Sequence, residues 1–184
     1  MKFSTFLLAA AALHLALTVS IFVAGRQGWF PSTFDEHGIG ISFAIDSSSY
    51  RKEATRLADS LWRGEFKRWR NSSSQFHVKL YSLSFATFGR VLGPNILSAE
   101  PLNLVYYLLI LGLVFALGRE VFDRRAGLLA AAAVAVWPSF LLHTTQMLRD
   151  PLFIVAMLSL VILLAMWLTR EFTPARGLAA GAAG

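Results

Sequence analysis

The sequence predicts an all-α integral membrane protein with about four transmembrane helices and a long amphipathic interfacial loop after the first. Three observations carry that prediction. Hydrophobic residues make up 55% of the 184 and charged ones only 15%, with a mean hydropathy of +0.55; a soluble domain keeps about a quarter of its residues charged. The charge is missing from four windows, each close to the roughly 20 apolar residues that cross about 30 Å of hydrocarbon as a helix. An isolated segment in lipid must also pair every backbone N–H and C=O internally, which a helix does. The composition excludes a disordered chain, a fibrous rod and a water-soluble globule. Absence of Cys excludes a disulfide framework, a thiolate metal site and a cysteine nucleophile.

Taken in order, Lys2 and Arg26 bound the first window, read as a span over about 4–25. A cleaved signal peptide competes, because small residues at Ala24-Gly25 end the apolar stretch. That stretch is long for a signal and no clean A-x-A site precedes Arg26, so an uncleaved span is preferred. His14 within it fits either a functional ionisable group or a neutral histidine hydrogen-bonded to a neighbouring helix.

Residues 26–79 form the long loop, with nine basic and six acidic residues. A helix is expected over 49–70, with Asp46 and Ser47–Ser49 offering N-cap groups. Tyr50, Ala54, Leu57 and Leu61 make one stripe, continued by Trp62, Phe66 and Trp69. Basic residues interleaved with Trp suit an interfacial helix, and a solvated charged face fits the same pattern. Segment 78–97 is apolar but carries Lys79, Arg90 and Pro94. It reads as interfacial or re-entrant rather than as a fifth span. Spans are then expected at 101–118, 126–146 and 151–169, bounded by Glu100, Arg119, Arg125, Arg149, Asp150 and Arg170. The whole is read as one membrane domain. Its Ala/Gly tail after Pro174 resembles the start of another apolar segment, so the sequence is expected to be truncated at the C-terminus.

Three arginines in the 119–125 turn place that turn in the cytoplasm of a plasma (inner) membrane protein. The long loop then faces outward, against the trend its nine basic residues set. The net charge of +6 and pI near 10.2 suit anionic membrane lipids. No basic stripe on a soluble domain points to nucleic acid.

Three positions have the chemistry of a site: Asp46, Arg149-Asp150, and Asp35-Glu36-His37. With four spans, Asp46 and Asp150 fall on one side of the membrane whichever way the chain inserts. Carboxylates beside apolar helices can accept a proton from a hydroxyl nucleophile or bind a divalent cation, and arginine suits phosphate. Each has a structural reading too: Asp46 as a helix N-cap, Asp150 as an acid favoured by a helix dipole, and Arg149 as a snorkelling anchor. Asp35-Glu36-His37 has metal-ligand chemistry without a partner at diagnostic spacing, and no metal is identified. Gly112 and Ala130–Ala133 permit close helix packing.

Four stretches in order bear a further likeness: Asp46-Ser-Ser-Ser-Tyr50 with Ala54 and Leu57; Leu80-Tyr81 through Phe88-Gly89; Leu117-Gly118-Arg119-Glu120-Val121-Phe122 with Arg124-Arg125-Ala126-Gly127-Leu128-Leu129; and Trp137-Pro138 through Leu148-Arg149-Asp150-Pro151-Leu152. Over about 5–170 the chain resembles the GT-C membrane glycosyltransferases that use polyprenyl-phosphate-linked sugars, in the branch of protein mannosyltransferases and lipid A sugar transferases. It departs from them in length, in lacking Pro-Pro before Leu80, and in having Asp35-Glu36 compete with Asp46.

The resemblance implies sugar transfer from a polyprenyl-phosphate donor to a glycan, lipid or protein acceptor. It implies Asp46 as catalytic base, with Tyr50, Arg149 and Asp150 as substrate-binding residues. A fragment of this length is expected to lack part of the donor site. The alternative is a non-catalytic multi-pass subunit that binds lipid or assembles a complex.

Overall fold

A computed structural model describes residues 2–34 and 40–169, with the backbone alone at Ile45 and Thr169. Among the described residues there are eight α-helices and no strand beyond an isolated Phe34–Ile41 bridge. They are α1 (Phe3–Arg26), α2 (Ile45–Trp62), α3 (Phe66–Arg70), α4 (Phe76–Leu92), α5 (Ile96–Val121), α6 (Arg124–Ala135), α7 (Pro138–Thr144) and α8 (Asp150–Thr169).

Helices α1, α5 and α8 are long and apolar enough to cross a membrane, and α6 with α7 makes a fourth candidate if the pair is one broken span. α5 is the hub: α1, α4, α6, α7 and α8 all pack on it. The buried residues of α1 (Phe6, Ala10, His14, Thr18 and Ile21) recur every three or four positions and form one stripe. Phe6 and Ala10 join Tyr107, Leu111 and Phe115 of α5 and Ala131 and Ala135 of α6 in the main core. A second core joins Leu57 and Ala58 of α2, Tyr81 and Phe85 of α4, Ala99 of α5 and Met147 of the α7–α8 link.

Two features of the charge map read differently in three dimensions. Glu100, taken as the boundary of the 101–118 span, lies inside the longer α5 and is buried. It is there because His14 and Thr18 pair with it, which removes the cost of an isolated charge. The 126–146 window is not one straight helix. Pro138 has no N–H to continue α6, opens α7 at its first turn, and the two helices meet at a 68° bend.

The 49–70 helix is also two helices. α2 begins earlier, at Ile45, with Ala44 as an N-cap that offers no side-chain hydrogen bond, so Asp46 is a first-turn residue rather than the cap. Gly64, at φ +76°, turns the chain between α2 and α3. The tryptophans of the expected interfacial stripe dock on α4: Trp62 Nε1 donates to Ala86 O at 2.9 Å and Trp69 Nε1 to Ser82 Oγ at 2.8 Å. Segment 78–97 is not one unit either. It supplies most of α4, the Gly93 turn and the start of α5, which Asn95 caps by accepting from Leu97 N at 2.9 Å.

Close helix contact occurs at glycines other than Gly112, around which a Cβ would meet open space. At the α5–α6 crossing a Cβ on Gly118 would lie 2.6 Å from Gly127 Cα, and one on Gly127 would lie 2.5 Å from Phe115 O. Asp123 turns the chain there and caps α6, accepting from Ala126 N at 2.7 Å.

Candidate functional site

The polar end of the bundle is assembled where the chain enters α2 and where it enters α8. Ile41 N donates to Gln146 Oε1 at 3.2 Å, tying the segment before α2 to the α7–α8 link. The Phe43 and His143 rings lie beside one another, with centroids 4.8 Å apart. The link is anchored from below by Met147, buried in the second core, and by Tyr81. The Tyr81 hydroxyl donates to Asn103 Oδ1 at 2.7 Å and lies 3.4 Å from Leu148 O. Burial is the main force raising the Tyr81 phenol well above its ordinary pKa, so it stays a protonated donor.

On this platform Arg149 and Asp150 stand exposed at the start of α8, with Arg149 Nε 3.9 Å from Asp150 Oδ1. Asp150 occupies the first turn, where the helix dipole favours a carboxylate, and Asp46 occupies the equivalent place on α2. Asp46 is exposed. It lies one helical turn before Tyr50, so the two share a face of α2.

His77, in the first turn of α4, touches Tyr50 and lies within the electrostatic reach of Arg149 and Asp150. Its ring packs edge-on against Tyr50, with centroids 4.6 Å apart at 83°. It is 5% exposed, and its Nε2 is buried without a hydrogen-bond partner. Burial lowers its pKa below the ordinary histidine value. The Arg149 guanidinium lowers it further and the Asp150 carboxylate partly offsets this. At neutral pH the ring is therefore an uncharged imidazole with one nitrogen unsatisfied.

Of the sequence candidates, the structure thus brings Tyr50, Arg149 and Asp150 around His77, with Asp46 one turn along α2. Asp35, Glu36 and His37 lie outside the described residues. Among the described residues no group of three or more His, Asp or Glu could hold a metal ion. His77 was missed because it falls where the polar loop gives way to an apolar segment, a place that charge patterning reads as a boundary. Chemically, the end offers two exposed carboxylates, a guanidinium and a neutral imidazole above an apolar bundle.

No family model matches the chain, and no curated protein or solved structure matches it significantly.

Proposed function

We propose that the chain carries active-site residues of a membrane glycosyltransferase of the GT-C type, moving a sugar from a polyprenyl-phosphate carrier to an acceptor hydroxyl. The observation that supports it is the gathering of Tyr50, Arg149 and Asp150 around His77 at the end of the bundle where α2, with Asp46, begins. In this reading Asp46 accepts the proton of the acceptor hydroxyl, and the freed oxygen attacks the anomeric carbon. The bond from that carbon to the phosphate oxygen breaks and polyprenyl phosphate leaves with the electron pair, inverting the centre. Arg149 neutralises the phosphate through its charged planar fork, and Asp150 orients the acceptor. Tyr50 holds the α2 face against His77.

The reading places the long loop on the outer side of the plasma (inner) membrane. The acceptor is a glycan, a lipid or a protein rather than nucleic acid.

A second reading, a non-catalytic multi-pass subunit, draws on α8. That helix leaves Phe153, Met157, Leu160, Leu163, Leu164 and Trp167 exposed for lipid or another membrane helix.

Asp46→Asn separates the two readings. Membranes of cells expressing the full-length protein, wild type or Asp46→Asn, are supplied with a radiolabelled polyprenyl-phosphate hexose. The enzyme reading expects transfer to fall by about 10²-fold or more, the scale of a lost general base, at unchanged membrane expression. Transfer at the wild-type rate overturns it.

A further inference from the structure

A separate cluster lies deeper in the bundle, on helices α1, α5 and α7. His14 is fully buried, with Nδ1 2.8 Å from Glu100 Oε1 and Nε2 3.1 Å from Thr144 Oγ1. Thr18 Oγ1 donates to Glu100 Oε2 at 2.9 Å and lies 3.1 Å from His14 O. Thr144 Oγ1 is also 2.9 Å from Phe140 O and 3.1 Å from Leu141 O.

Counting hydrogens, together with the cost of an uncompensated buried charge, indicates how this cluster is charged. A hydroxyl has one proton to donate, and a carbonyl oxygen only accepts. Thr144 has one proton for Phe140 O, Leu141 O or Nε2; where an α7 carbonyl takes it, the Thr144 oxygen accepts from His14 and Nε2 carries a hydrogen. The Nδ1–Oε1 contact then joins two atoms that both accept when bare, and it needs a proton of its own. Thr18 cannot supply it, because its single proton is spent on Glu100 Oε2 or His14 O.

We infer that His14 and Glu100 form a proton-binding site inside the candidate spanning bundle, with one proton held between Nδ1 and Oε1 in addition to that on Nε2. The pair is then neutral in total whichever of the two atoms carries the shared proton. That satisfies the rule that a buried charge must be compensated.

Loss of the shared proton leaves a net negative charge in the core and forces a rearrangement. The one remaining ring proton moves to Nδ1 to face the carboxylate, and Nε2 becomes an acceptor. Thr144 then turns its hydroxyl to Nε2 and releases the carbonyls of Phe140 and Leu141. Two phenols face the pair, and both are bonded elsewhere. The Tyr107 ring of α5 lies 4.5 Å from His14 and its hydroxyl donates to Ala135 O, while Tyr81 of α4, within the field of Glu100, donates to Asn103.

The test is independent of sugar transfer. The chain is made with ¹⁵N-ring-labelled histidine, reconstituted in lipid bilayers at neutral pH and studied by solid-state NMR. A His14→Gln sample assigns the His14 signals by their loss. The expected result is a protonated Nε2 together with a far-downfield proton between Nδ1 and the carboxylate, and that proton signal is lost in Glu100→Gln. Thr144→Val, close to isosteric, is expected to shift the Nε2 signal, and Thr144→Ser to restore it. A bare Nε2 in the wild type, or a spectrum that Glu100→Gln leaves unchanged, overturns the inference.

Discussion

The rings of Tyr50 and His77 meet edge to face with centroids 4.6 Å apart, and through that contact α2 is joined to α4 beside Arg149 and Asp150. Aromatic pairs of this geometry contribute about 0.5–1.5 kcal/mol beyond burial. Tyr50→Phe keeps the ring and is expected to leave thermal stability in detergent within about 0.5 kcal/mol. Tyr50→Ala is expected to lower it by about 3 kcal/mol, at the lower end of aromatic truncations because Tyr50 is only partly buried.

Burial and Arg149 hold the His77 pKa below its ordinary value of 6.5. The folded chain therefore binds fewer protons there than the unfolded chain as pH falls past that value. The contribution of His77 to stability is complete above pH 6.5 and is lost as pH falls toward its folded pKa. Melting curves between pH 7.5 and 5 should show stability falling on acidification, and His77→Gln should flatten that part of the profile. An unchanged profile would remove His77 as its cause.

Gly118 and Gly127 sit where α5 and α6 touch backbone to backbone. The nearest atoms are main-chain and cannot turn aside, so a methyl group must push the helices apart. Gly127→Ala and Gly118→Ala are each expected to cost about 1–3 kcal/mol, the usual range for overpacking. Gly112→Ala meets nothing within 4 Å and is expected to be neutral or slightly stabilising, since alanine is the better helix former. Parallel melts of the three variants check the contrast.

Tyr81 supports the α7–α8 link through its hydroxyl. Tyr81→Phe leaves Asn103 Oδ1 without its donor in the core, at a cost of about 1–3 kcal/mol. Hydrogen exchange should then rise at Met147 and Leu148 more than in α1.

Much of the helical plan was legible in the sequence because charge-free runs are long in α1, α5 and α8. The plan failed where a local feature outweighed composition. Pro138 breaks an uncharged window that carries no other sign of a bend, and Glu100 looked like a boundary because its partners His14 and Thr18 are 86 and 82 positions away. The meeting of the two polar ends followed from span parity. His77 and the Gly118–Gly127 contact did not, because each depends on which faces of two helices touch, and periodicity alone leaves that open.

The proposed site requires that Asp46 and Asp150 belong to one end of the bundle. The chain has no Cys, so Asp46→Cys and Asp150→Cys each give a single reporter. Labelling intact cells or oriented vesicles with a membrane-impermeant maleimide tests the claim most directly. Both variants are expected to label from the same side. Labelling from opposite sides would contradict it.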